Sequence, residues 1–273
     1  MSDLKEKVAL ITGASSGIGE GTALHFASLG CWLALTARNK AALDGVAKKC
    51  EARGAPNKKV LVVPGDICRP EDVAAIVKKT VDHFGKIDIL VSNAGKTPIG
   101  PLGNVALEEF DDVLNTNLRS AFNITQEVLP FLKKTKGSIV YVSSISTMRP
   151  EQAVPLSGIS KAAVDQLTRA SALEFAQYGI RANSVNPGAI DTKMVFRPEM
   201  SPEQQIMLRS ALQASHALGR IGTVEEVARA IAFLASEDAS FITGHSIPVD
   251  GGSLLLGPSS VPRVGPGGIP KFL

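Results

Sequence analysis

Ser157 and Lys161 lie four residues apart in the stretch LSGISKAA, residues 156–163. Four residues is about one helical turn, so on a helix the hydroxyl and the ammonium share a face and could act on the same bound molecule. A second stretch with chemical content is TGASSGIG, residues 12–19, with Gly13, Gly17 and Gly19 at its turns. Glycines between a strand and a helix permit a tight turn and the close approach of a pyrophosphate, whose charge the helix N-terminus favours. Taken alone, the same glycines would also serve a plain strand-to-helix turn.

The elements that must position these residues are legible as an alternation. Short apolar, β-branched runs, VALIT, WLALT, VLVV, IDILV, SIVYV, RANSV and SIPV, are separated by amphipathic stretches of helical length at 17–29, 40–53, 70–84, 107–133, 158–178 and 223–236. Apolar positions recur at three and four residues in them, as at Val73, Ile76, Val77 and Val81. Strand and helix in repeated alternation predict a doubly wound α/β fold: a mostly parallel sheet of about seven strands, with helices on both faces.

The bulk properties narrow the function classes. A chain of 273 residues, 44% hydrophobic and 20% charged, is long enough for one substantial core. The formal charge of +3 is small and the basic residues are scattered, so no nucleic-acid or membrane partner is expected. Cys31, Cys50 and Cys68 show no ligand spacing and read as reduced thiols, with no disulfide frame and no metal site. The charged start MSDLKEKVAL is unlike a secretory signal, and no run is apolar enough for a membrane helix, so a cytoplasmic protein is expected. On the same ground the sequon at Asn123 should stay unmodified. Residues 1–252 read as one domain. Residues 253–273, with Pro258, Pro262, Pro266 and Pro270, read as an irregular arm, either loose or packed on a neighbouring subunit. The terminal Lys-Phe-Leu departs from the peroxisomal signal at two of three places.

The spacing TGxxxGxG, with Ser15 and Ile18 inside it, resembles the short-chain dehydrogenase/reductase family. Further motifs follow in order: Asp66-Ile67 after the third strand, Asn93-Ala94-Gly95 after the fourth, and Asn186-Pro187-Gly188 with Ile190 and Thr192 beyond. The resemblance runs from about Lys7 to Gly252 and implies a Rossmann fold that binds a nicotinamide dinucleotide. Asp66-Ile67 would meet the adenine, and the segment from Pro187 to Thr192 the carboxamide. At the end of the second strand, an acidic residue would accept from the ribose 2′-hydroxyl of NAD; here Ala37 and Arg38 stand instead. A guanidinium suits a 2′-phosphate, so NADP(H) is favoured, with NAD(H) the alternative.

The resemblance also implies a catalytic set, and one member is missing. Ser144 would orient a substrate oxygen, Lys161 would lower a tyrosine pKa and hold the ribose, and Asn117 would support a water relay. The tyrosine should stand four residues before the lysine and thirteen after the serine, and both counts land on Ser157. The chain's two tyrosines, Tyr141 and Tyr178, are not expected to reach the site, and the position seven before the lysine, used by related enoyl reductases, is Val154. Three readings of Ser157 follow. The chain could be an enzyme, acting on a carbonyl or secondary alcohol, that draws its proton from elsewhere. It could be a cofactor-binding pseudoenzyme with a regulatory or assembly role, or a form substituted to trap a complex. A Ser–Lys hydrolase fits the spacing poorly. The segment after Thr192 resembles the family's lid, with Met194, Val195, Phe196, Met200 and Met207 hinting at an apolar substrate. The family further implies a homotetramer or homodimer built on the stretches 107–133 and 158–178.

Overall fold

The computed structural model describes residues 3–54 and 59–257. Seven strands form one sheet: β1 (Val8–Thr12), β2 (Trp32–Thr36), β3 (Val60–Val62), β4 (Ile89–Ser92), β5 (Ser138–Val142), β6 (Arg181–Pro187) and β7 (Ser246–Val249). Their order is β3-β2-β1-β4-β5-β6-β7 and every pairing is parallel, so the sheet is wholly parallel. Each apolar run of the sequence forms one of these strands.

Strands β1, β2, β4 and β5 are mostly apolar because both faces are covered, whereas β6 carries the buried polar Asn183, Ser184 and Asn186, and the edge strands β3 and β7 are only partly buried. Alternate β1 residues go to opposite cores: Ala9 and Ile11 join Phe26, Leu43 and Ile231 on one face. Leu10 joins Val77, Val128 and Val164 on the other. Behind the first core lie helices α1 (Gly17–Ser28), α2 (Lys40–Ala52) and α8 (Val224–Ala235). Behind the second lie α3 (Pro70–Phe84), α5 (Ser120–Thr135) and α6 (Pro155–Phe175). No helix among the described residues is long and apolar enough to cross a membrane.

Two elements differ from the sequence expectation. The stretch 107–133 is not one helix: α4 (Leu107–Leu114) passes through a π-helical turn, Asn115–Arg119, before α5 begins. The segment expected to be a lid contains α7 (Pro202–Ala214), started by a Ser201/Gln204 capping box. At the chain's end, Ser253–Leu255 is a short 3-10 turn that precedes the first of the arm's prolines. Arg149 holds it by donating to the Ser253 and Leu256 carbonyls, at 2.7 and 3.1 Å. The arm's residues 258–273, with all four prolines, lie outside the described residues.

Candidate functional site

The sheet order reverses direction between β1 and β4, and in such sheets the crevice beyond the carboxyl ends of the strands is where ligands sit. The sequence motifs follow the carboxyl ends of β1, β4, β5 and β6, so the fold gathers them at that crevice.

Asn93 and Ala94 buttress the glycine loop. Their backbone N–H groups donate to Thr12 Oγ1 at 2.9 and 3.0 Å, and Asn93 Nδ2 donates to the Thr12 carbonyl at 2.8 Å. The loop is tight enough to exclude side chains: a Cβ on Gly19 would lie 2.3 Å from the Gly13 carbonyl oxygen, and one on Gly13 would lie 2.9 Å from Ala94 Cα. α1 then starts from Ser16, whose side chain does not cap it, so the first-turn N–H groups are left for a ligand. Ser15 and Ile18 line this turn half-buried, and Thr192 packs toward Gly17. An uncapped N-terminus facing a cradle with no room for a Cβ fits a pyrophosphate.

Asp66 and Ile67 border the crevice past β3, the Asp66 carboxylate accepting from the Cys68 N–H at 3.0 Å and Ile67 buried. Arg38 is exposed and makes no hydrogen bond or ion pair with other described residues, which leaves its guanidinium available.

Lys161 is buried on α6, and its ammonium donates to the Val142 carbonyl at 2.6 Å, at the end of β5. Burial lowers its pKa from 10.5 to about 8, with the Asp165 carboxylate one turn on opposing the shift. Asp165 is itself held by Asn186 Nδ2 at 3.0 Å and Ser184 Oγ at 3.2 Å. A Cβ on Gly95 would stand 3.3 Å from the Lys161 Nζ and 3.1 Å from Asn117 Oδ1, so these two groups converge on one backbone position.

The π turn explains how Asn117 gets there, since an extra residue in a helix swings a side chain out of the regular register. Asn117 is buried, accepts from the Lys96 N–H at 2.8 Å, and donates to the Lys96 carbonyl and to Ser160 Oγ, both at 2.9 Å. Ser144 opens the 3-10 turn after β5. Its oxygen accepts from the Ser146 N–H and hydroxyl at 3.2 and 2.9 Å, and it donates to no described residue, so its proton is free to meet a substrate oxygen. Among the described residues no hydrogen bond joins Ser144 to Ser157 or Lys161.

Ser157 is buried one turn before Lys161, as the spacing predicts, and accepts from Thr97 Oγ1 at 3.3 Å. Neither tyrosine takes part in this arrangement. Tyr141 lies wholly inside the second core, bonded to Thr125 and Ser171, and burial raises its pKa. Tyr178 lies past the end of α6 under the Lys133 ammonium. Sequence reasoning missed Thr97 and Arg197, whose guanidinium donates to the Thr97 carbonyl at 2.7 Å and so ties the segment after Thr192 to the loop beside Ser157. Within that segment Phe196 is buried beneath Arg209, whereas Met194 and Met207 are exposed.

The three cysteines are free, with Cys31 and Cys50 buried, and burial pushes the Cys50 thiol up to about 12. Among the described residues no group of His, Cys, Asp and Glu side chains converges as metal ligands would.

The chain matches known proteins over nearly all its length. A family model described as enoyl-(acyl carrier protein) reductase matches residues 13–253. A 3-oxoacyl-[acyl-carrier-protein] reductase of Thermotoga maritima is 40% identical, with 92% of this chain and 99% of that protein covered. A glucose 1-dehydrogenase of Gluconobacter oxydans is 37% identical, with 92% and 93% covered. Among solved structures, a short-chain type dehydrogenase/reductase from Mycobacterium marinum superposes with a TM-score of 0.84 at 35% identity, covering 92% of this chain and 96% of that one. A short-chain dehydrogenase/reductase of unknown function from Caenorhabditis elegans, solved with cofactor, reaches 0.87 at 33% identity, covering 94% and 98%.

Proposed function

Because this chain belongs to the short-chain dehydrogenase/reductase family, we propose that it is an NADP(H)-binding oxidoreductase for a small carbonyl or secondary alcohol, slowed by the serine at position 157. The observation that carries this reading is the buried Lys161 ammonium, which meets Asn117 at Gly95 in the crevice where the sheet order reverses.

A bound nicotinamide would supply or accept the hydride. Gly13, Ser15, Gly17, Ile18 and Gly19 hold the pyrophosphate against the N-terminus of α1. Asn93, Ala94 and Gly95 brace that loop, Asp66 and Ile67 flank the adenine, and Pro187, Gly188, Ile190 and Thr192 border the nicotinamide. Arg38 binds the 2′-phosphate, a role favoured by its exposed guanidinium, which is paired with no carboxylate among the described residues.

At the reacting centre the Ser144 hydroxyl donates to the substrate oxygen. Lys161 holds the ribose and supplies positive potential, and Asn117 fixes the backbone at Lys96 beside it. Carbonyl reduction also needs a proton at oxygen. An aliphatic hydroxyl at position 157 is a far weaker acid than the phenol that the family places there, so the proton comes from water at a lower rate. The exposed Leu107 and Phe122, around α4 and α5, with Ile159 and Leu173 on α6, support self-association through these helices.

The test is a fluorescence titration with NADPH and NADH, followed by reduced-cofactor consumption over a panel of aldehydes and ketones. Tighter NADPH binding with slow turnover supports the reading. Tight binding with no turnover makes the chain a cofactor-binding protein without catalysis, and no binding of either cofactor refutes the proposal.

A further inference from the structure

We propose that His216 is a positioning residue whose bond to the Ala189 amide sets how tightly the loop after β6 holds the nicotinamide end of the cofactor; the inference rests on the cofactor reading above. The ring is buried just past the end of α7. Its Nε2 lies 3.2 Å from the Ala189 backbone nitrogen. An amide N–H can only donate, so Nε2 is the acceptor and the ring hydrogen is on Nδ1. That N–H donates to the Leu212 carbonyl at 2.6 Å, in the last turn of α7. One ring thus bonds both to the last turn of α7 and to the loop after β6.

The surroundings are shaped for this strut. A Cβ on Gly188 would come within 2.9 Å of the ring's Nε2, so only glycine there lets the imidazole reach the loop. The loop is fastened at three other points by backbone: the Gly188 N–H donates to the Val249 carbonyl at 3.1 Å, the Ala189 carbonyl accepts from the Gly222 N–H at 2.9 Å, and the Asp191 N–H donates to the Gly222 carbonyl at 2.9 Å. Two side chains add to these: Arg209 of α7 pairs with the Asp191 carboxylate at 3.1 Å in a half-exposed ion pair, and His216 bonds to Ala189 from a buried position. The Leu218 N–H donates to the Gly251 carbonyl at 3.0 Å, which holds the chain around His216 against the segment after β7. The Leu212 bond fixes which ring nitrogen faces Ala189, and the Ala189 bond holds the loop that borders the cofactor.

A histidine that merely fills the core predicts something different, and the two can be separated by which bond is kept. In His216→Asn the amide can still donate to Leu212 but does not reach Ala189, while in His216→Gln it can accept from Ala189 but loses Leu212. Binding is measured for whichever of NADPH and NADH the wild type holds more tightly, and for the matching ADP-ribose fragment that lacks nicotinamide. His216→Asn is expected to weaken binding of the whole cofactor about five- to tenfold, the worth of one hydrogen bond. Fragment binding should stay within about twofold of wild type, and His216→Gln should bind the whole cofactor nearly as wild type does.

Equal loss in both variants, or a parallel loss of fragment binding, overturns the proposal in favour of packing. Absence of cofactor binding by the wild type overturns the cofactor reading and this inference with it. Hydrogen exchange in the wild type needs no substitution: the Ala189 amide should be protected without cofactor and more protected with it. Rapid exchange in both states also overturns the proposal.

Discussion

Replacing Ser157 with tyrosine tests the account of the site most directly. Ser157 Oγ accepts from Thr97 Oγ1, and Lys161 lies one helical turn on with its ammonium fixed on the Val142 carbonyl. With a pKa of about 8, Lys161 stays mostly protonated at neutral pH, so a phenol at position 157 would sit beside a cation and be drawn down from its usual value near ~10. A positioned general acid is worth roughly 10² to 10⁴ in rate, or about 3 to 5 kcal/mol of barrier. The opposing term is steric. Ser157 is buried, so the larger ring must displace Thr97, and overpacking of this kind costs about 1–3 kcal/mol of stability. Ser157→Tyr is therefore expected to raise kcat on a carbonyl panel by about 10² to 10⁴ with little change in cofactor affinity and a modestly lower Tm. The assay is loss of reduced-nicotinamide absorbance under identical conditions, with Ser157→Phe as the control for bulk without a proton. Similar rates for wild type and Ser157→Tyr, or an equal gain from Ser157→Phe, would refute the assignment of the missing phenol.

Arg38→Asp should lower NADPH affinity about 10- to 100-fold and leave NADH affinity unchanged or improved, read by fluorescence titration, because one charge-assisted bond is lost and a carboxylate faces the 2′-phosphate. Its thermal stability should stay within about 0.5 kcal/mol of wild type, since Arg38 is exposed and unpaired with other described residues. Tyr141→Phe removes bonds of 2.8 and 3.2 Å to Thr125 and Ser171 and should cost about 1–2 kcal/mol by denaturant unfolding, while turnover stays within about twofold because the ring lies in the core. Stability should also depend on pH through Lys161, whose pKa falls from 10.5 unfolded to about 8 folded. Below about 8 the full cost of burying the ammonium is present; between about 8 and 10.5 the unfolded chain holds the proton that the folded chain has released, so stability rises with pH, by about 3 kcal/mol in all. Urea midpoints should show this rise in wild type and lose it in Lys161→Met.

The centre of the sheet was legible because a strand buried on both faces is mostly apolar, as β1, β2, β4 and β5 are; the half-polar RANSV of β6 and the short edge strands β3 and β7 were marked by their place in the alternation. The pairing of Ser157 with Lys161 was legible for a similar reason, since α6 keeps a regular helical register between them. The π turn at Asn115–Arg119 was not, because the apolar periodicity on either side continues as if the helix were unbroken. α7 was missed because it buries no residue fully, with Ile206 and Met207 exposed, so no buried stripe marked its sequence. Its readable signal was the Ser201-Pro202-Glu203-Gln204 start, a capping box with proline at the first turn. His216 and Arg197 bond to backbone atoms of residues 27 and 100 positions away, and no local pattern encodes such partners.

Lys161 also bears on whether the site is used. A buried ammonium bonded to a strand-end carbonyl opposes folding by about 3 kcal/mol at neutral pH, and a methionine of similar length would remove most of that cost. Side chains kept at such expense cluster at functional sites. Without a neighbouring phenol to polarise, two tasks remain for this ammonium: binding the cofactor ribose and raising the positive potential at the substrate oxygen. The first task alone predicts that Lys161→Met weakens cofactor binding and stabilises the free chain. The second predicts, in addition, that whatever turnover the wild type shows falls further at saturating cofactor, where loss of affinity no longer matters. A rate unchanged at saturation would leave the ammonium a binding group only, and the proton would then reach the substrate without its help.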